Sequence, residues 1–357
     1  MILKSEEVEF MMNRAGAKGT PFLFGVDFEL KNGFFIENPL SQQNILFEVE
    51  GVGNINNNHL NKIDLKNQHI LNLNESITVI NKNKNLLKEE NGIYSDKKYY
   101  FDTFPENQSE YELRFQKVME ELKKGDSYLA NLTIKTPVKS SYSMKDIFML
   151  SSSPYKIYIP NFFVCFSPEC FVKVMDGKIS TFPMKGTIDA TIPNAKEIIL
   201  NDVKEKAEHS TIVDLLRNDL ARVADKVTLK RFRYIDELNG SNGSLLQVSS
   251  EIEGTLNENY LSNIGTTIFK LLPAGSVSGA PKRATLDIIR KAEQLKRGFY
   301  TGVAGYFDGN TLNSFVLIRY IEQESDTLFF RSGGGITAMS DSGKEYREAL
   351  QKVYLPF

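Results

Sequence analysis

Several features are scarce in this 357-residue sequence, which has no tryptophan, two cysteines and a formal net charge of −2. Without tryptophan, the aromatic volume of a core must come mainly from its 24 phenylalanines. A net charge so close to zero gives no reason to expect nucleic acid or an anionic membrane as the main partner. No segment approaches the roughly 18 to 20 uninterrupted apolar residues of a membrane span. The composition therefore indicates an ordinary globular protein.

The two cysteines, Cys165 and Cys170, lie in one apolar stretch, FFVCFSPECF. Because they are so close together on one predicted strand, we expect reduced thiols rather than a disulfide. The N-terminal sequence MILKSEEVEFMMNRAG has acidic residues early and lacks the apolar core of a secretory signal. We therefore expect a cytoplasmic location. The asparagine-rich stretch 54–74 is expected to be a loop or a surface insertion.

Helix signals occur at intervals along the chain. A capping box formed by Ser109 and Glu112 predicts the start of one helix. Apolar spacing predicts helical structure over residues 195–223. Pro281 fits the first turn of a further helix, with Gly298 just past its end.

Hairpin signals occur between these helices. The segment SYLANLTIKTPV alternates like a strand, and Asp176-Gly177 is typical of a tight turn between two strands. A second hairpin is predicted to turn at Asp308-Gly309-Asn310. Antiparallel hairpins mixed with long helices favour an α+β fold over the strict βαβ alternation of a Rossmann domain.

Four glutamates occur in two pairs. Glu205 and Glu208 are three residues apart on one predicted helix, and Glu345 and Glu348 have the same spacing in SGKEYREALQKV. Side chains at this spacing share a helical face, so each pair can direct two carboxylates at one point. Two converging pairs would supply the hard oxygen ligands that Mg²⁺ prefers. Taken alone, each pair is more typical of a solvated helix face.

Lys185 ends an apolar strand in STFPMKGT, directly before a glycine. A lysine in a partly desolvated site can act as a nucleophilic amine. The alternative is a lysine that protects a strand edge from aggregation. Glu169 lies on the opposite arm of the hairpin at Asp176-Gly177, where a carboxyl group could act as a general acid in the same pocket. Glu169 could equally be a turn residue after Pro168.

Gly333-Gly334-Gly335 follows a predicted strand. Successive glycine amides can form a concave nest that binds an anion, although a triple glycine is more often a flexible turn. Arg319, on the preceding strand, could bind the same carboxylate in a bidentate manner.

These features occur together in one family. The sequence resembles the chorismate-utilising enzymes, which include anthranilate synthase component I, aminodeoxychorismate synthase component I, and the isochorismate and salicylate synthases. The resemblance runs from about Gly125 to the last residue. Seven segments carry it, in the family's order: GDSYLANLT, FSPECF, PMKGT, AEHSTIVDLLRNDLARV, PAGSVSGAPKRATLDII, RGFYTGVAGYF and SGGGITAMSDSGKEYREALQK.

The resemblance implies two antiparallel sheets packed as a sandwich with helices outside. Residues 1–105 would complete the sheets of a catalytic core formed by residues 106–357. Four residues would surround a Mg²⁺ that holds the ring carboxylate of chorismate: Glu205, Glu208, Glu345 and Glu348. The implied substrate contacts are Gly186, Thr187, Gln247, Ser276, Tyr306, Arg319, Gly334, Gly335 and Lys352.

Lys185 indicates the branch of the family. Aminodeoxychorismate synthases carry lysine before the Gly-Thr of this motif, whereas anthranilate synthases carry alanine. The implied mechanism is attack of Lys185 on C2 of chorismate while Glu169, as general acid, assists loss of the C4 hydroxyl; ammonia then displaces the lysine. Leu129 stands where the water-using members have a lysine base, which argues against them. Cys170 and Gln247 also depart from the usual arginine and histidine.

The source of ammonia is not in this sequence, which has no G-x-C-x-G nucleophile. The resemblance implies a separate glutamine amidotransferase subunit, and a place on the route to p-aminobenzoate and folate. Two alternatives stay open at this point. One is anthranilate synthase component I, and the other is an inactive chorismate-binding homologue with a regulatory role. The full set of carboxylates, together with Lys185 and Arg319, argues against the inactive homologue.

Overall fold

The computed structural model describes residues 2–55, 99–240 and 243–357 of the chain. Within these ranges the strands before residue 170 are β1 (Leu3–Lys4), β2 (Phe22–Val26), β3 (Asn32–Glu37), β4 (Leu46–Val49), β5 (Val52–Gly53), β6 (Phe101–Thr103), β7 (Leu129–Ser140), β8 (Tyr155–Ile159) and β9 (Phe163–Ser167). The later strands are β10 (Cys170–Met175), β11 (Lys178–Thr181), β12 (Met184–Asp189), β13 (Asp225–Gly240), β14 (Gly243–Thr255), β15 (Gly279–Ala280), β16 (Val303–Phe307), β17 (Leu312–Val316), β18 (Tyr320–Glu324) and β19 (Thr327–Ile336).

The helices of the same ranges are α1 (Ser5–Lys18), α2 (Gln108–Lys124), α3 (Met144–Leu150), α4 (Ala195–Asn201), α5 (Val203–Leu220), α6 (Ile264–Leu271), α7 (Gly275–Ser278), α8 (Lys282–Glu293) and α9 (Ser342–Gln351). Two short 3₁₀ turns lie at Pro39–Ser41 and Tyr260–Asn263. A membrane span would need a longer and more apolar helix than any of these.

The strands form two antiparallel sheets. The first has the order β1-β3-β2-β16-β17-β10-β11-β14-β12, with β13 paired to β14, and the second has the order β15-β7-β19-β18-β9-β8-β4-β5, with β6 paired to β7. Strands from the first hundred residues therefore lie in both sheets, beside strands from the C-terminal half. The predicted α+β class is confirmed, since neighbouring strands pair antiparallel rather than through βαβ crossovers.

Aromatic side chains fill the space between the two sheets. Tyr155 of the second sheet stacks on Phe315 of the first at 5.3 Å between ring centroids, and Phe47 of the second sheet contacts Tyr306 of the first in a tilted arrangement at 5.4 Å. Burying a large apolar side chain stabilises a fold by about 1.5–3 kcal/mol. The sheets are thus packed face to face, as the resemblance implied.

Helices cover the outer faces of both sheets. Apolar side chains of α1, α5 and α6 pack on the first sheet in one cluster. Those of α2, α8 and α9 pack on β7 and β19 of the second sheet, and those of α3 pack beside β9 and β18. This arrangement puts α5 on one sheet and α9 on the other, each carrying one pair of the predicted metal-binding glutamates.

Some predicted helix boundaries are wrong. The helix α2 is capped by Asn107, whose backbone N–H donates to Glu110 at 3.1 Å, rather than by the box at Ser109 and Glu112. The two boxes overlap and satisfy the same pattern, so the sequence does not choose between them. The segment 195–223 is divided at Asp202, whose side chain accepts the Glu205 N–H at 2.9 Å and so begins a second helix.

The end of α8 also differs from its prediction. Pro281 lies just before the helix as its cap residue, and the helix ends at Glu293 rather than near Gly298. Gln294 takes the left-handed conformation that ends the helix, with φ of 54°. The sequence signal was missed because glycine is the usual residue at that position and glutamine is not.

Both predicted hairpins are confirmed, and both cysteines are reduced thiols. The triple glycine is neither a flexible turn nor a nest, because it continues β19 and pairs with β7. From residue 56 onward, the asparagine-rich stretch lies outside the described residues.

Candidate functional site

A cavity of about 290 Å³ collects most of the predicted site residues in the described part of the chain. Its walls come from strands of both sheets and from α5, α7 and α9. The predicted residues that line it are Glu169, Lys185, Gly186, Gln247, Ser276, Arg319, Gly334, Gly335, Glu348 and Lys352. Residues almost two hundred positions apart in sequence are therefore brought to one place by the pairing of the sheets.

Lys185 reaches the cavity from β12, at the edge of the first sheet. The strand register shifts between Met184 and Thr187, and Gly186 takes a φ of +79°, a conformation natural to glycine. Because of this bulge, Met184, Lys185 and Gly186 all line the cavity instead of alternating in and out. The side chain of Lys185 is 31% exposed, with its Nζ 3.4 Å from Oε2 of Glu208. Although Lys185 is on an edge strand, it points inward rather than guarding the edge.

Glu169 occupies the turn between β9 and β10. Its Oε1 accepts a hydrogen bond from Oγ of Ser276 at 2.5 Å. Burial raises the pKa of Glu169, while the bond from Ser276 and the nearby charges of Lys185, Arg319 and Lys352 oppose that rise. The raised pKa means that burial outweighs the four favourable partners. Glu169 is therefore both the turn residue and a cavity carboxyl group that is protonated more readily than an ordinary glutamate.

Two cations, Arg319 and Lys352, also line the cavity. Arg319 is in the connection between β17 and β18 rather than on a strand, and its Nε donates to the hydroxyl of Tyr354 at 3.3 Å. Lys352 donates from Nζ to the carbonyl of Gly333 at 2.8 Å and to Glu348 at 2.8 Å. The glycines of β19 have no side chains to fill the space beside these cations. This part of the cavity is suited to an anionic ligand.

The first glutamate pair lies against β12. A Cβ atom added to Gly186 would be 3.0 Å from Oε2 of Glu205, and Glu208 pairs with Lys185. The absence of a side chain at Gly186 thus leaves room for the carboxylate of Glu205. The pair is close to the cavity wall, although neither glutamate lines the cavity itself.

The second pair lies against β19. A Cβ atom added to Gly334 would be 3.7 Å from Oε2 of Glu345 and 3.8 Å from Oε1 of Glu348. Glu345 is buried, with 7% of its surface exposed, and Glu348 lines the cavity. Both carboxylates therefore face the same strand.

The four glutamates present the hard oxygen donors that Mg²⁺ prefers, from helices on two sides of the cavity. In the ranges 2–55, 99–240 and 243–357, no three acidic, histidine or cysteine side chains are grouped tightly enough to form a preassembled metal site. The donor chemistry fits the ion, and Mg²⁺ stays a prediction.

Two predicted substrate contacts lie elsewhere. Thr187 is exposed on β12, pairs with Gln247 and does not line the cavity. Tyr306 is buried on β16, where it packs against Phe47 between the sheets. The tyrosine that lines the cavity is Tyr300, six residues earlier in the same RGFYTGVAGYF segment. The segment alone does not separate the two tyrosines, since only the register of β16 directs Tyr306 into the sandwich.

Sequence reasoning missed Asn131, which lines the cavity and whose Oδ1 has no hydrogen-bond partner among the described residues. Leu129 lines the same wall, and residues two apart on a strand share a face. The alternation of side chains along β7, starting from Leu129, could therefore have predicted that Asn131 lines the cavity. Cys170 also lines the cavity, and burial raises the pKa of its thiol to about 12. The position that is usually arginine in the family is therefore neutral here.

A buried ion pair is hydrogen-bonded to the backbone of the cavity wall. Arg297 and Glu293 pair at 2.7 Å, and both are almost completely buried. The guanidinium of Arg297 also donates to the carbonyls of Asn131 and Val277, each of which is in the cavity wall. Glu293 accepts the backbone N–H of Thr133 at 2.9 Å. The pair thus ties β7 to the short helix that carries Ser276.

Comparison with known proteins gives one consistent result. Residues 6–356 match the protein family described as chorismate binding enzyme. The chain is 44% identical over 346 residues to an uncharacterised PabA-like protein of Haemophilus influenzae, covering 96% of this chain and 94% of that protein. It is 52% identical over 260 residues to an uncharacterised PabA-like protein of Pasteurella multocida, covering 73% and 80%. Aminodeoxychorismate synthase component 1 of Bacillus subtilis is 32% identical over 255 residues, covering 67% and 53%.

Solved structures show the same architecture. An isochorismate synthase of Bacillus anthracis superposes with a TM-score of 0.65 at 18% identity, covering 99% of this chain and 89% of that chain. The anthranilate synthase component I of Streptococcus pneumoniae superposes with a TM-score of 0.65 at 20% identity, covering 94% and 79%. At such identities the likeness concerns the fold, which is shared by enzymes with different products.

Proposed function

The chain belongs to the family of chorismate binding enzymes, and we propose that it aminates chorismate at C4 to give 4-amino-4-deoxychorismate, with Mg²⁺ as its cofactor. The observation that carries the proposal is that Lys185 and Glu169 line one cavity, and that burial raises the pKa of Glu169. An amine can form a covalent bond to the substrate, and a protonated carboxyl group can donate to a leaving oxygen. The Bacillus subtilis relative supports the same chemistry by its name.

In the first step, the neutral amine of Lys185 attacks C2 of chorismate. The new C2–N bond shifts the ring double bonds and breaks the C4–O bond. Glu169 gives its proton to the departing hydroxyl, which leaves as water. Lys185 acts as a neutral amine in both steps. Before the first attack its ammonium group gives one proton to solvent water and leaves its contact with Glu208, whose Oε2 lies 3.4 Å from Nζ. A carboxyl group with a raised pKa is suited to the donor role because it keeps its proton to a higher pH than an ordinary glutamate does.

In the second step, ammonia forms a bond to C4. The double bonds shift back, the C2–N bond breaks, and its electron pair returns to Lys185 as a neutral amine. The carboxylate of Glu169 takes the extra proton from the new C4 ammonium, which restores the starting enzyme. The sum is chorismate plus ammonia giving aminodeoxychorismate plus water. A covalent intermediate divides one difficult displacement into two easier ones.

Substrate binding in this proposal depends on charge. Arg319 and Lys352 would bind a carboxylate of chorismate beside the open wall formed by Gly334 and Gly335. The residues that would hold the metal are Glu205, Glu208, Glu345 and Glu348. When bound there, Mg²⁺ would polarise the conjugated ring carboxylate and so ease loss of the hydroxyl.

Ammonia would come from a separate glutamine amidotransferase subunit. The sequence has only two cysteines, and burial raises the pKa of both thiols, so neither is suited to be the nucleophile of a glutaminase. The description of two relatives as PabA-like supports a link to the same pathway.

The test is to incubate the purified chain with chorismate, Mg²⁺ and an ammonium salt, and to identify the product by mass spectrometry. We expect aminodeoxychorismate. Anthranilate as the main product would overturn the proposal in favour of the anthranilate synthase alternative. No turnover of chorismate, with or without an amidotransferase, would favour the inactive homologue.

A matched pair of variants assigns the role of the amine. Lys185→Ala should lower the rate of amination by about 10³-fold or more, since loss of a nucleophile removes the covalent route. Lys178→Ala is the control, because Lys178 is an exposed lysine on β11, which β14 separates from β12 in the sheet, and its Nζ donates to the hydroxyl of Thr255. Equal activity of the two variants would remove Lys185 from the mechanism.

A further inference from the structure

Tyr354 lies beside Arg319, in the short segment that follows α9. We propose that Tyr354 is a positioning residue that holds the guanidinium of Arg319 ready for a substrate carboxylate. The inference rests on the proposed function, in which Arg319 binds chorismate. It adds a residue that lies outside the cavity wall and acts only through Arg319.

The contact between the two side chains fixes one edge of the guanidinium. Nε of Arg319 donates to the Tyr354 hydroxyl at 3.3 Å, and the guanidinium carbon lies 5.5 Å from the centre of the Tyr354 ring. Among the described residues this is the only hydrogen bond that the Arg319 side chain makes. The two terminal nitrogens of Arg319, a residue that lines the cavity, therefore make no hydrogen bond to any other described residue. Two parallel N–H donors are the arrangement that binds a carboxylate in a bidentate manner.

The backbone of Arg319 is held in an unusual conformation. Its φ is +54°, in the left-handed region that an arginine rarely adopts. The backbone N–H of Phe166 donates to the Arg319 carbonyl at 3.0 Å, and the thiol of Cys165 donates to the preceding carbonyl of Ile318 at 3.1 Å. Strained residues that the surrounding structure holds in place are concentrated at functional sites. The strain at Arg319 indicates that its direction is specified rather than incidental.

Tyr354 is itself anchored on both sides. Val353 and Leu355 pack against the apolar cluster beneath α3, and the Val353 N–H donates to Leu350 at 3.0 Å. Lys352 is fixed to Gly333 by its Nζ bond of 2.8 Å. Since Val353 and Leu355 face the cluster, the residue between them is directed away from it, and Tyr354 is 46% exposed. A rigid support of this kind reduces the ordering that Arg319 would otherwise undergo when substrate binds.

The experiment measures chorismate binding by titration calorimetry with Mg²⁺ and without ammonia, and then KM and kcat with ammonium. Tyr354→Phe removes the hydrogen bond and keeps the ring, so we expect Kd and KM to rise about 3- to 10-fold. Tyr354→Ala removes both contacts and should raise them by about 10- to 30-fold. In both variants kcat should stay within about twofold of wild type, since Tyr354 does not touch the reacting atoms.

Tyr100→Phe is the control, because Tyr100 has the same 46% exposure and lies outside the cavity wall. Its Kd should equal that of wild type. The variant Arg319→Lys already lacks the pair of terminal N–H donors that binds a carboxylate. Adding Tyr354→Phe to this variant should therefore weaken chorismate binding no further.

Wild-type binding by both Tyr354 variants would overturn the inference, as would a full additive loss in the Arg319→Lys background. Thermal unfolding of each variant shows whether it is folded, and Tyr354→Phe decides the question if Tyr354→Ala is not. Failure of the wild-type chain to bind chorismate is a distinct result, which would overturn the proposed function itself.

Discussion

Ser276 donates a hydrogen bond of 2.5 Å to Glu169, and so joins α7 to the turn before β10 across the cavity. The bond stabilises the ionised carboxylate and therefore lowers the pKa of Glu169, whereas burial raises it. Burial is the larger effect. Ser276 thus acts with Lys185, Arg319 and Lys352 to limit how far burial raises the pKa of the proposed general acid.

Replacing Ser276 should move the pH dependence of the reaction. Activity requires protonated Glu169 and should fall as pH rises through the Glu169 pKa. Ser276→Ala removes a contact that favours the ionised form, so the falling limb of kcat/KM should shift to higher pH. Ser278→Ala is the control, since Ser278 is on the same helix but bonds Ala274. A limb that stays in place in Ser276→Ala would show that another group controls it.

Glu169 should also limit stability at high pH. Its pKa is raised in the folded chain, so the folded state favours the neutral form. The stability that this form contributes is complete below the usual pKa of a glutamate and is lost as pH rises through the raised pKa. Glu169→Gln keeps a neutral group of similar shape. We expect its free energy of unfolding to exceed that of wild type by more at about pH 8 than at about pH 5, while activity falls by about 10²- to 10⁴-fold.

Denaturant titrations at the two pH values measure this difference. The control is Glu258→Gln, a change at an exposed glutamate. Its free energy of unfolding should stay close to that of wild type at both pH values. A Glu169→Gln variant whose stability relative to wild type falls between pH 5 and pH 8 would contradict the prediction, because the folded state would then favour the ionised carboxylate.

The family and the fold class were predictable because several of the family's motifs occur close together along this chain and in the family's order. The short segment around Lys185 is one of seven that occur in the family's order, and the match over residues 6–356 confirms the resemblance. The two hairpin turns were predictable for a local reason, because Asp-Gly sequences adopt the positive φ that tight turns require.

The placement of single side chains was less predictable, because it depends on strand register. Tyr300 and Tyr306 are in one segment, and only pairing with β2 and β17 directs Tyr306 into the core. The sequence left Gly334 in either a nest or a flexible turn, because it does not show that β7 continues opposite this residue. Thr187 was assigned to the cavity, but the bulge at Gly186 leaves it on the exposed face. A one-residue shift in a strand exchanges its faces, and local sequence does not specify such shifts.

The buried pair of Glu293 and Arg297 should be the most sensitive structural element behind the cavity. Arg297→Met leaves a buried, uncompensated carboxylate, which typically costs about 3–5 kcal/mol of unfolding free energy. Arg290→Met breaks an exposed pair with Asp287 on the same helix and should cost no more than about 1 kcal/mol. Urea unfolding of the two variants gives the comparison. Similar losses in both would mean that the carboxylate of Glu293 is relieved by water or by protonation.

The glutamates of α5 and α9 should control dependence on Mg²⁺. Glu348 lines the cavity and faces Gly334 beside Glu345, so Glu348→Gln removes one charged oxygen donor while keeping the shape of the side chain. Because Mg²⁺ binds carboxylate oxygens far better than amide groups, the Mg²⁺ concentration for half-maximal activity should rise by about tenfold or more, with a lower maximal rate. Glu120→Gln, at an exposed position of α2, should keep the wild-type value. Calorimetric titration of Mg²⁺ in the presence of chorismate gives a second readout that does not depend on turnover. Wild-type Mg²⁺ affinity in Glu348→Gln, together with full activity, would mean that Glu345 and Glu348 form only a solvated helix face and do not bind the metal.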